Sequence, residues 1–287
     1  MFKTRLNGKK AIVTGGAMGI GLATATRLLK EGCDVTLWDI NEAALAEAKK
    51  TLQDVPGDGR VFAHTADVAD RERVNALVDQ ARRDMGRIDI LVNNAAFVRA
   101  GFFWERPVED AVRQMDVNVN SLFYTIHAVL PEMIERDSGH IVNVSSGVAF
   151  VSTPGLSAYV ASKWAAWGLT DVLRMEARAR GKKGVIFTSV HPGNIVTGMF
   201  EGFKLNRMGA LLAPPVKDHD VIARAIVESG LKRRQWVVAR PRTLKLGVAL
   251  RGIIPDRLGL RLAFWLGTKD CVSSYEGRRG QIHCYDR

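Results

Sequence analysis

The sequence predicts an α/β protein: a doubly wound sheet of seven parallel strands with helices on both faces, followed by a C-terminal helical extension. Three observations predict it. Short apolar runs recur along the first 240 residues, they alternate strictly with segments of helical period, and a glycine-rich turn follows the first run. A short apolar run bounded by turn signals suits a strand buried on both faces. Strict strand–helix alternation argues parallel pairing through right-handed crossovers.

Ala11-Ile12-Val13-Thr14 is the first strand, ended by Gly15-Gly16, and the helical pattern from Ile20 to Lys30 is closed by Gly32. Glycine just past the last periodic residue is a common helix stop. Val35 to Trp38 is the second strand, and Glu42 to Leu52 an alanine-rich helix. Strand Arg60 to Ala63, helix Val74 to Met85 and strand Ile88 to Val92 repeat the rhythm. A helix is expected over Val108–Arg136 before strand His140–Val144, and another over Ala158–Arg180 before strand Gly184–Val190. Helix Asp220–Gly230 and strand Gln235–Ala239 complete the sheet.

Two stretches break the pattern. Asn194 to Pro215 has no clear period yet carries Met199, Phe200, Phe203, Met208, Leu211 and Leu212, and the chain from Pro241 is basic and apolar together. Open α/β sheets place their ligand crevice at the carboxyl ends of the strands. Both stretches are expected there, the first as a mobile lid over an apolar ligand. The expected division is a dinucleotide-binding and catalytic domain over residues 1–240, with an extension over 241–287 packed on it or on a lipid surface.

Composition narrows the class. The chain has 287 residues, 47% hydrophobic and 25% charged, which suits a soluble globular domain with an ample core. No apolar run approaches the roughly 20 residues needed to cross a bilayer. Met1 to Arg5 lead almost directly into the first strand, so no signal peptide is expected. Cys33, Cys271 and Cys284 fit no metal spacing and leave an odd thiol, which favours a reducing, cytoplasmic compartment and no metal site. The net charge of +11 is uneven: residues 200–287 carry 17 Lys/Arg against 8 Asp/Glu. That asymmetry leaves nucleic acid, an anionic membrane and simple solubility open. Neither a recognition-helix pattern nor aromatic stacking positions on a basic strand accompany it, so no nucleic-acid partner is expected.

The turn Thr14-Gly15-Gly16-Ala17-Met18-Gly19-Ile20-Gly21 lies between the first strand and first helix. Glycines there permit positive φ and close approach of backbone to a pyrophosphate, and the helix N-terminus offers N–H donors. The spacing is G-x-x-x-G-x-G rather than the commoner G-x-G-x-x-G, and the bare alternative is a tight connection. Asp39 ends the second strand, where a carboxylate binds adenosine ribose hydroxyls and repels a 2′-phosphate. Neither Met18 nor Ile40, its neighbours in such a site, is basic. NAD is therefore expected over NADP.

Tyr159 and Lys163 are four apart and share a helix face. A free tyrosine titrates near 10, and a lysine ammonium within a few ångströms stabilises the phenolate. The pair can then exchange a proton with a substrate hydroxyl.

With these residues in place, the chain resembles the short-chain dehydrogenase/reductase family over nearly its whole length, and its expected architecture is that family's Rossmann-type domain. Thr14 to Gly21 matches the family's glycine turn, Asp67-Val68 its adenine-contacting pair, and Asn93-Asn94-Ala95 the segment supporting the cofactor. Asn118 falls at the catalytic asparagine, Ser146 lies 13 residues before Tyr159, and Tyr159-Val160-Ala161-Ser162-Lys163 is the active-site motif. Pro192-Gly193-Asn194-Ile195-Val196-Thr197 matches the stretch holding the nicotinamide carboxamide. Ala96 departs from the family's usual glycine.

The resemblance implies catalytic roles for Asn118, Ser146, Tyr159 and Lys163: Tyr159 as acid/base, Ser146 orienting the substrate oxygen, Lys163 on the ribose and tuning Tyr159, Asn118 holding a water. It implies a cofactor site of Gly15, Met18, Gly19, Ile20, Gly21, Asp39, Ile40, Asp67, Val68, Asn94, Ala95, Tyr159, Lys163, Pro192, Gly193, Ile195 and Thr197. His191 is expected to pack under the Pro192-Gly193 turn. Trp38-Asp39-Ile40-Asn41, His140 through Lys163 and the tail, with a helix reaching Ile254-Pro255-Asp256-Arg257, are most similar to the hydroxysteroid and retinol dehydrogenase branch. That branch implies a lipophilic alcohol or ketone of steroid, retinoid or long-chain type. The alternatives are an acyl-thioester ketoreductase using NADP and a non-catalytic cofactor-binding regulatory protein. A homodimer through helices Val108–Arg136 and Ala158–Arg180 is expected, and Trp164 and Trp167 suit either that contact or core packing. So is peripheral contact with anionic membrane through the extension.

Overall fold

The computed structural model describes residues 3–195, 198–245 and 253–268. Strands β1 (Lys10–Thr14), β2 (Asp34–Asp39), β3 (Val61–Thr65), β4 (Ile90–Asn93), β5 (Gly139–Val144), β6 (Val185–Pro192) and β7 (Val237–Arg240) form one sheet. Their order is β3-β2-β1-β4-β5-β6-β7, and every pair is parallel. The direction of winding reverses between β1 and β4, which opens a crevice at the carboxyl ends of those two strands.

Both faces of the sheet are buried, as the unbroken apolar strands require. Along β1, Ala11 and Val13 join a core with Leu28, Leu37, Val92 and Ile226, whereas Ile12 joins the opposite core with Trp38, Leu91, Ile126 and Phe187. Helices α1 (Gly19–Lys30), α2 (Glu42–Gln53) and α8 (His219–Arg224) cover the first face. Helices α3 (Arg71–Met85), α5 (Ser121–Glu135) and α6 (Ser157–Ala179) cover the second. Side-chain caps set the starts of three of these helices: Asn41 accepts from Ala44 N, Asp70 from Arg73 N and Asp218 from Asp220 N.

Two expected helices are interrupted. In place of one helix over Val108–Arg136 there is α4 (Val108–Met115), a π-type turn at Asp116–Asn120, then α5. The expected helix Asp220–Gly230 is α8 followed by a π-type stretch, Ala225–Lys232. Single residues inserted into a helix leave the apolar period nearly intact, so periodicity does not reveal them.

The stretch read as irregular, from Asn194 to Pro215, carries a short helix, α7 (Arg207–Leu212), capped by Asn206 accepting from Gly209 N. Its ends are drawn together by a bridge between Ile195 and Val216 and by Val216 N donating to Asn194 O. In the extension, the helix Asp256–Trp265 begins one residue beyond Pro255, and Asn206 Nδ2 donates to Trp265 O at 2.6 Å. The cover and the extension thus pack on each other. No described helix is long and apolar enough to cross a membrane.

Candidate active site

The crevice is built first from backbone. Gly15 has φ +61°, and a Cβ there would lie 2.9 Å from Ala95 Cα. A Cβ on Gly21 would overlap the Gly15 carbonyl oxygen and stand 2.7 Å from Asn94 Nδ2. Asn94 Nδ2 donates to Thr14 O and Gly15 O, while Thr14 Oγ1 accepts from Asn94 N and Ala95 N at 3.0 Å each. The turn after β1 and the segment after β4 are therefore fixed edge to edge. From the other side, Asp39 braces the turn: its Oδ2 accepts from Ala17 N at 3.0 Å and its Oδ1 from Asn41 N at 3.1 Å.

A nicotinamide dinucleotide fits this cradle. The N-cap of α1, Met18, supplies no side-chain acceptor, and the first turn holds no acid. The partial positive charge of the helix end thus faces the cleft with no acid in its own first turn. The cleft, about 220 Å³, is lined by Gly15, Met18, Gly19, Ile20, Asp39, Ile40, Val68, Asn94 and Ala95 at one end. Ser146, Tyr159, Lys163, Pro192, Gly193 and Ile195 line the other.

At that second end, Ser146 follows β5, and its Oγ accepts from Val148 N at 3.3 Å. Tyr159 and Lys163 project from α6 and are both buried. Lys163 Nζ donates to Val144 O at 3.1 Å and sits 5.4 Å from the centre of the Tyr159 ring. Burial pushes its ammonium down to about 8. Ser145 Oγ, just after β5, donates to Lys163 O at 2.7 Å and fastens the helix carrying the pair to the end of that strand, while Ser162 Oγ donates to Tyr159 O within the helix. The edge of Phe200 meets the Tyr159 ring at 5.3 Å.

Three expected site residues stand off the cleft lining, and Thr197 lies outside the described residues. Gly21 lies beneath the turn, where its missing side chain admits Asn94. Asp67 turns away, accepting from Arg113 Nη2 at 2.6 Å and from Ala69 N at 3.0 Å, while Val68 beside it faces the cleft. Asn118, in the π-type turn, spends its amide on structure. Its Oδ1 accepts from Phe97 N, and its Nδ2 donates to Phe97 O and Ser162 Oγ. Both N–H donors of that side chain are engaged, so it ties the loop after β4 to α6.

His191 is wholly buried, and its Nδ1 lies 3.3 Å from Ser146 O. A carbonyl only accepts, so Nδ1 carries the proton and Nε2 accepts from Ser189 Oγ at 3.1 Å. Burial pushes its pKa down to about 4. Its ring lies 4.4 Å from Phe150 and 5.4 Å from Trp167. Trp167 packs on Phe150 and His191, in keeping with the core-packing alternative the sequence leaves open for it.

Sequence reasoning missed two features. One is a buried polar chain, in which Asn93 donates to Asn143, Asn143 to Thr170, and Thr125 to Asn93, each at 2.9 Å. It joins β4, β5, α5 and α6 under the site, and no spacing in the sequence announces it. The other is an apolar chamber of about 390 Å³ that shares Ser146, Pro192, Gly193 and Phe200 with the cleft. Its further walls include Phe150, Phe203 and Leu212, with Leu244, Leu262 and Leu266 from beyond β7.

Comparison with known proteins agrees with this geometry. Residues 9–207 match the family model for short chain dehydrogenases. Epidermal retinol dehydrogenase 2 of Mus musculus is 32% identical over 272 residues, covering 95% of this chain and 86% of that protein. Short-chain dehydrogenase/reductase family 16C member 6 of Bos taurus is 33% identical, covering 95% and 85%. A short-chain dehydrogenase/reductase from Burkholderia phymatum, solved in complex with NAD, superposes with TM-score 0.76 at 25% identity, covering 87% of this chain and 95% of that one. The sheet order, the glycine cradle and the two-ended cleft are thus those of an oxidoreductase that moves hydride between a nicotinamide dinucleotide and an alcohol/carbonyl pair. The chain belongs to the short-chain dehydrogenase family, on its retinol dehydrogenase branch.

Proposed function

We propose that this enzyme uses NAD to oxidise a lipophilic alcohol, or to reduce the matching ketone or aldehyde, at the junction of cleft and chamber. The observation that carries this reading is the apolar chamber opening at Ser146 and Phe200. A volume of about 390 Å³ suits one elongated or polycyclic hydrocarbon body, with its oxygen at the polar mouth. The bound nicotinamide supplies or accepts the hydride. Tyr159 passes the proton to or from the substrate oxygen, and Ser146 donates a hydrogen bond that aims that oxygen at Tyr159. Lys163 places a positive charge beside the Tyr159 ring and favours its phenolate. Asn118 acts by holding Phe97 and Ser162 in place.

Asp39 supports NAD over NADP. Among the described residues lining the cleft it is the one acid, at the end of β2, and no Lys or Arg stands beside it to receive a 2′-phosphate. A panel of retinol, sterols, long-chain and aromatic alcohols, read by NAD reduction, tests the function. Bulky lipophilic alcohols should be favoured by kcat/KM over ethanol. Faster turnover of a 3-ketoacyl thioester with NADPH would establish the ketoreductase instead.

The roof of the chamber supports peripheral contact with anionic lipid, with the enzyme otherwise cytoplasmic. Leu211 (71% exposed), Ile253 (78%) and Trp265 (62%) lie on the outer side of the cover and extension, with exposed Lys204, Arg207, Arg257 and Arg261 among them. Cations at headgroups and an aromatic at the boundary suit a membrane interface. Salt-sensitive co-sedimentation with anionic vesicles is expected, and recovery in the supernatant at low salt would remove the claim. Exposed Phe123 on α5, with Trp164, Val172 and Met175 on α6, support a homodimer through those helices, checked by light scattering.

A further inference from the structure

We propose that His219 is a ligand of the cofactor's pyrophosphate, reaching it from the side of the cleft opposite the glycine-rich turn. The inference rests on the dinucleotide reading above and adds a residue that no motif in the turn, the active-site helix or the stretch after β6 contains.

Charge is the first argument. Among the described residues that line the cleft, only Lys163 and His219 are basic. Lys163 belongs to the far end, bonded to Val144 O and lying beside Tyr159. Asn94, the nearest amide to the turn, spends its Nδ2 on Thr14 O and Gly15 O. The N-terminus of α1 can meet a pyrophosphate from one side with backbone N–H groups. From the other side, the basic side chain that lines the cleft against the turn is His219. An imidazole presents an N–H in either protonation state.

Position is the second argument. His219 Nε2 and Cδ2 each lie 3.5 Å from the point a Cβ on Gly19 would occupy, and Nε2 lies 3.7 Å from the corresponding point on Gly198. The polar edge of the ring therefore sits between the first residue of α1 and the turn that follows Ile195. These two segments flank the path from the adenosine end of the cleft to Tyr159. Both glycines have positive φ, +58° and +73°, and neither carries a side chain to push the ring aside.

The start of the helix that carries the ring is also held before any ligand arrives. Arg27 of α1 grips the Asp220 carboxylate with two donors, Nε at 2.6 Å and Nη2. Asp218 Oδ1 accepts from Asp220 N, and Val216, three residues before His219, is tied to Asn194 O. The start of α8 is thereby fastened to α1 on one side and to the end of β6 on the other. A donor fixed in advance loses little freedom on binding.

Titration calorimetry of the purified protein with NAD, ADP-ribose and adenosine tests the proposal. Removing one hydrogen bond to a charged phosphate should weaken binding by about tenfold to a hundredfold. His219→Ala should therefore raise Kd for NAD and for ADP-ribose by that factor and leave adenosine, which has no phosphate, unchanged. His219→Gln, which keeps an N–H donor, should recover part of the loss, and both variants should melt at the wild-type temperature. Equal Kd values for NAD and ADP-ribose in wild type and His219→Ala would overturn the proposal. So would an equal loss for adenosine, which would make His219 a structural brace. Wild-type protein that binds neither NAD nor ADP-ribose would instead overturn the dinucleotide reading itself.

Discussion

The two ends of the catalytic crevice are made in different ways. The cofactor end is a matter of backbone: four glycines in one turn, a carboxylate and an amide that brace it, and hydrogen bonds between Thr14 and the segment after β4. Little can grow at Gly15 or Gly21, because neighbouring main chain occupies the space a Cβ would need. The substrate end is a matter of side chains. Phe200, Phe203, Leu212, Leu244 and Leu262 wall a chamber between short helices that are partly exposed on their outer sides. Fixed dipoles and hydrogen bonds serve a ligand whose shape never changes, whereas soft apolar walls serve one recognised by its bulk. On the proposed function, the same chain holds the dinucleotide by geometry and its substrate by area.

Substitutions can break that comparison at several levels. The largest effect belongs to the chemistry where the two ends meet. Tyr159→Phe should lower kcat by about a hundredfold to ten-thousandfold. Calorimetry should still find NAD bound, since the ring and its contact with Phe200 remain. Turnover near wild type in that variant would remove Tyr159 from the role of acid/base.

Next is the contrast in tolerance. Gly21→Ala drives a methyl into the Gly15 carbonyl and should destabilise the fold by about 3 kcal/mol while abolishing cofactor binding. Leu211→Ala, on the exposed side of the cover, should change stability by less than about 0.5 kcal/mol. Similar denaturant midpoints for the two variants would contradict the division.

Lys163 gives a pH signature of the same kind. Its ammonium titrates near 8 in the folded protein against 10.5 when free, because burial disfavours the charge. Between those values the unfolded chain binds more protons, so this group makes the cofactor-free fold gain stability as pH rises from about 8 to 10.5, by about 3 kcal/mol in all. Cys33, raised by burial to about 12, works in the opposite direction above pH 9. Comparison with Lys163→Met isolates the lysine: the variant's advantage at pH 7 should shrink by pH 10. A difference that does not vary with pH would mean the ammonium is not desolvated.

Asp39→Ser should narrow the preference for NAD over NADP by at least about tenfold in kcat/KM, since a charge facing the 2′-phosphate is gone. It should also raise KM for both cofactors, because Ala17 N and Asn41 N lose their acceptor. An unchanged ratio would assign the preference elsewhere.

Legibility in the sequence follows the same division. The cofactor end could be read because backbone constraints leave few residue choices. Gly15 and Gly21 are dictated by neighbours that any sheet of this order brings close, and Asp39 by the end of β2. Tyr159 and Lys163 could be read because they share a turn of one helix. The chamber could not be read as a chamber, because Phe150, Phe203, Leu244 and Leu262 come from four separate segments with no common period. His219 was hidden for a related reason: it faces Gly19 only through the packing of α8 on α1. Asn118 and Asp67 were placed by resemblance alone, and the hydrogen bonds of their side chains run to Phe97 and Ser162 in one case and to Arg113 and Ala69 in the other.

The central claim is that substrate is held by apolar area in the chamber while its oxygen sits at Ser146 and Tyr159. Steady-state kinetics with NAD across straight-chain primary alcohols of increasing length test it most directly. Burying one methylene contributes about 0.8 kcal/mol, so each added carbon should raise kcat/KM about fourfold until the chamber is full, after which the rise should stop. A kcat/KM that stays level or falls from the shortest alcohol onward would contradict the account.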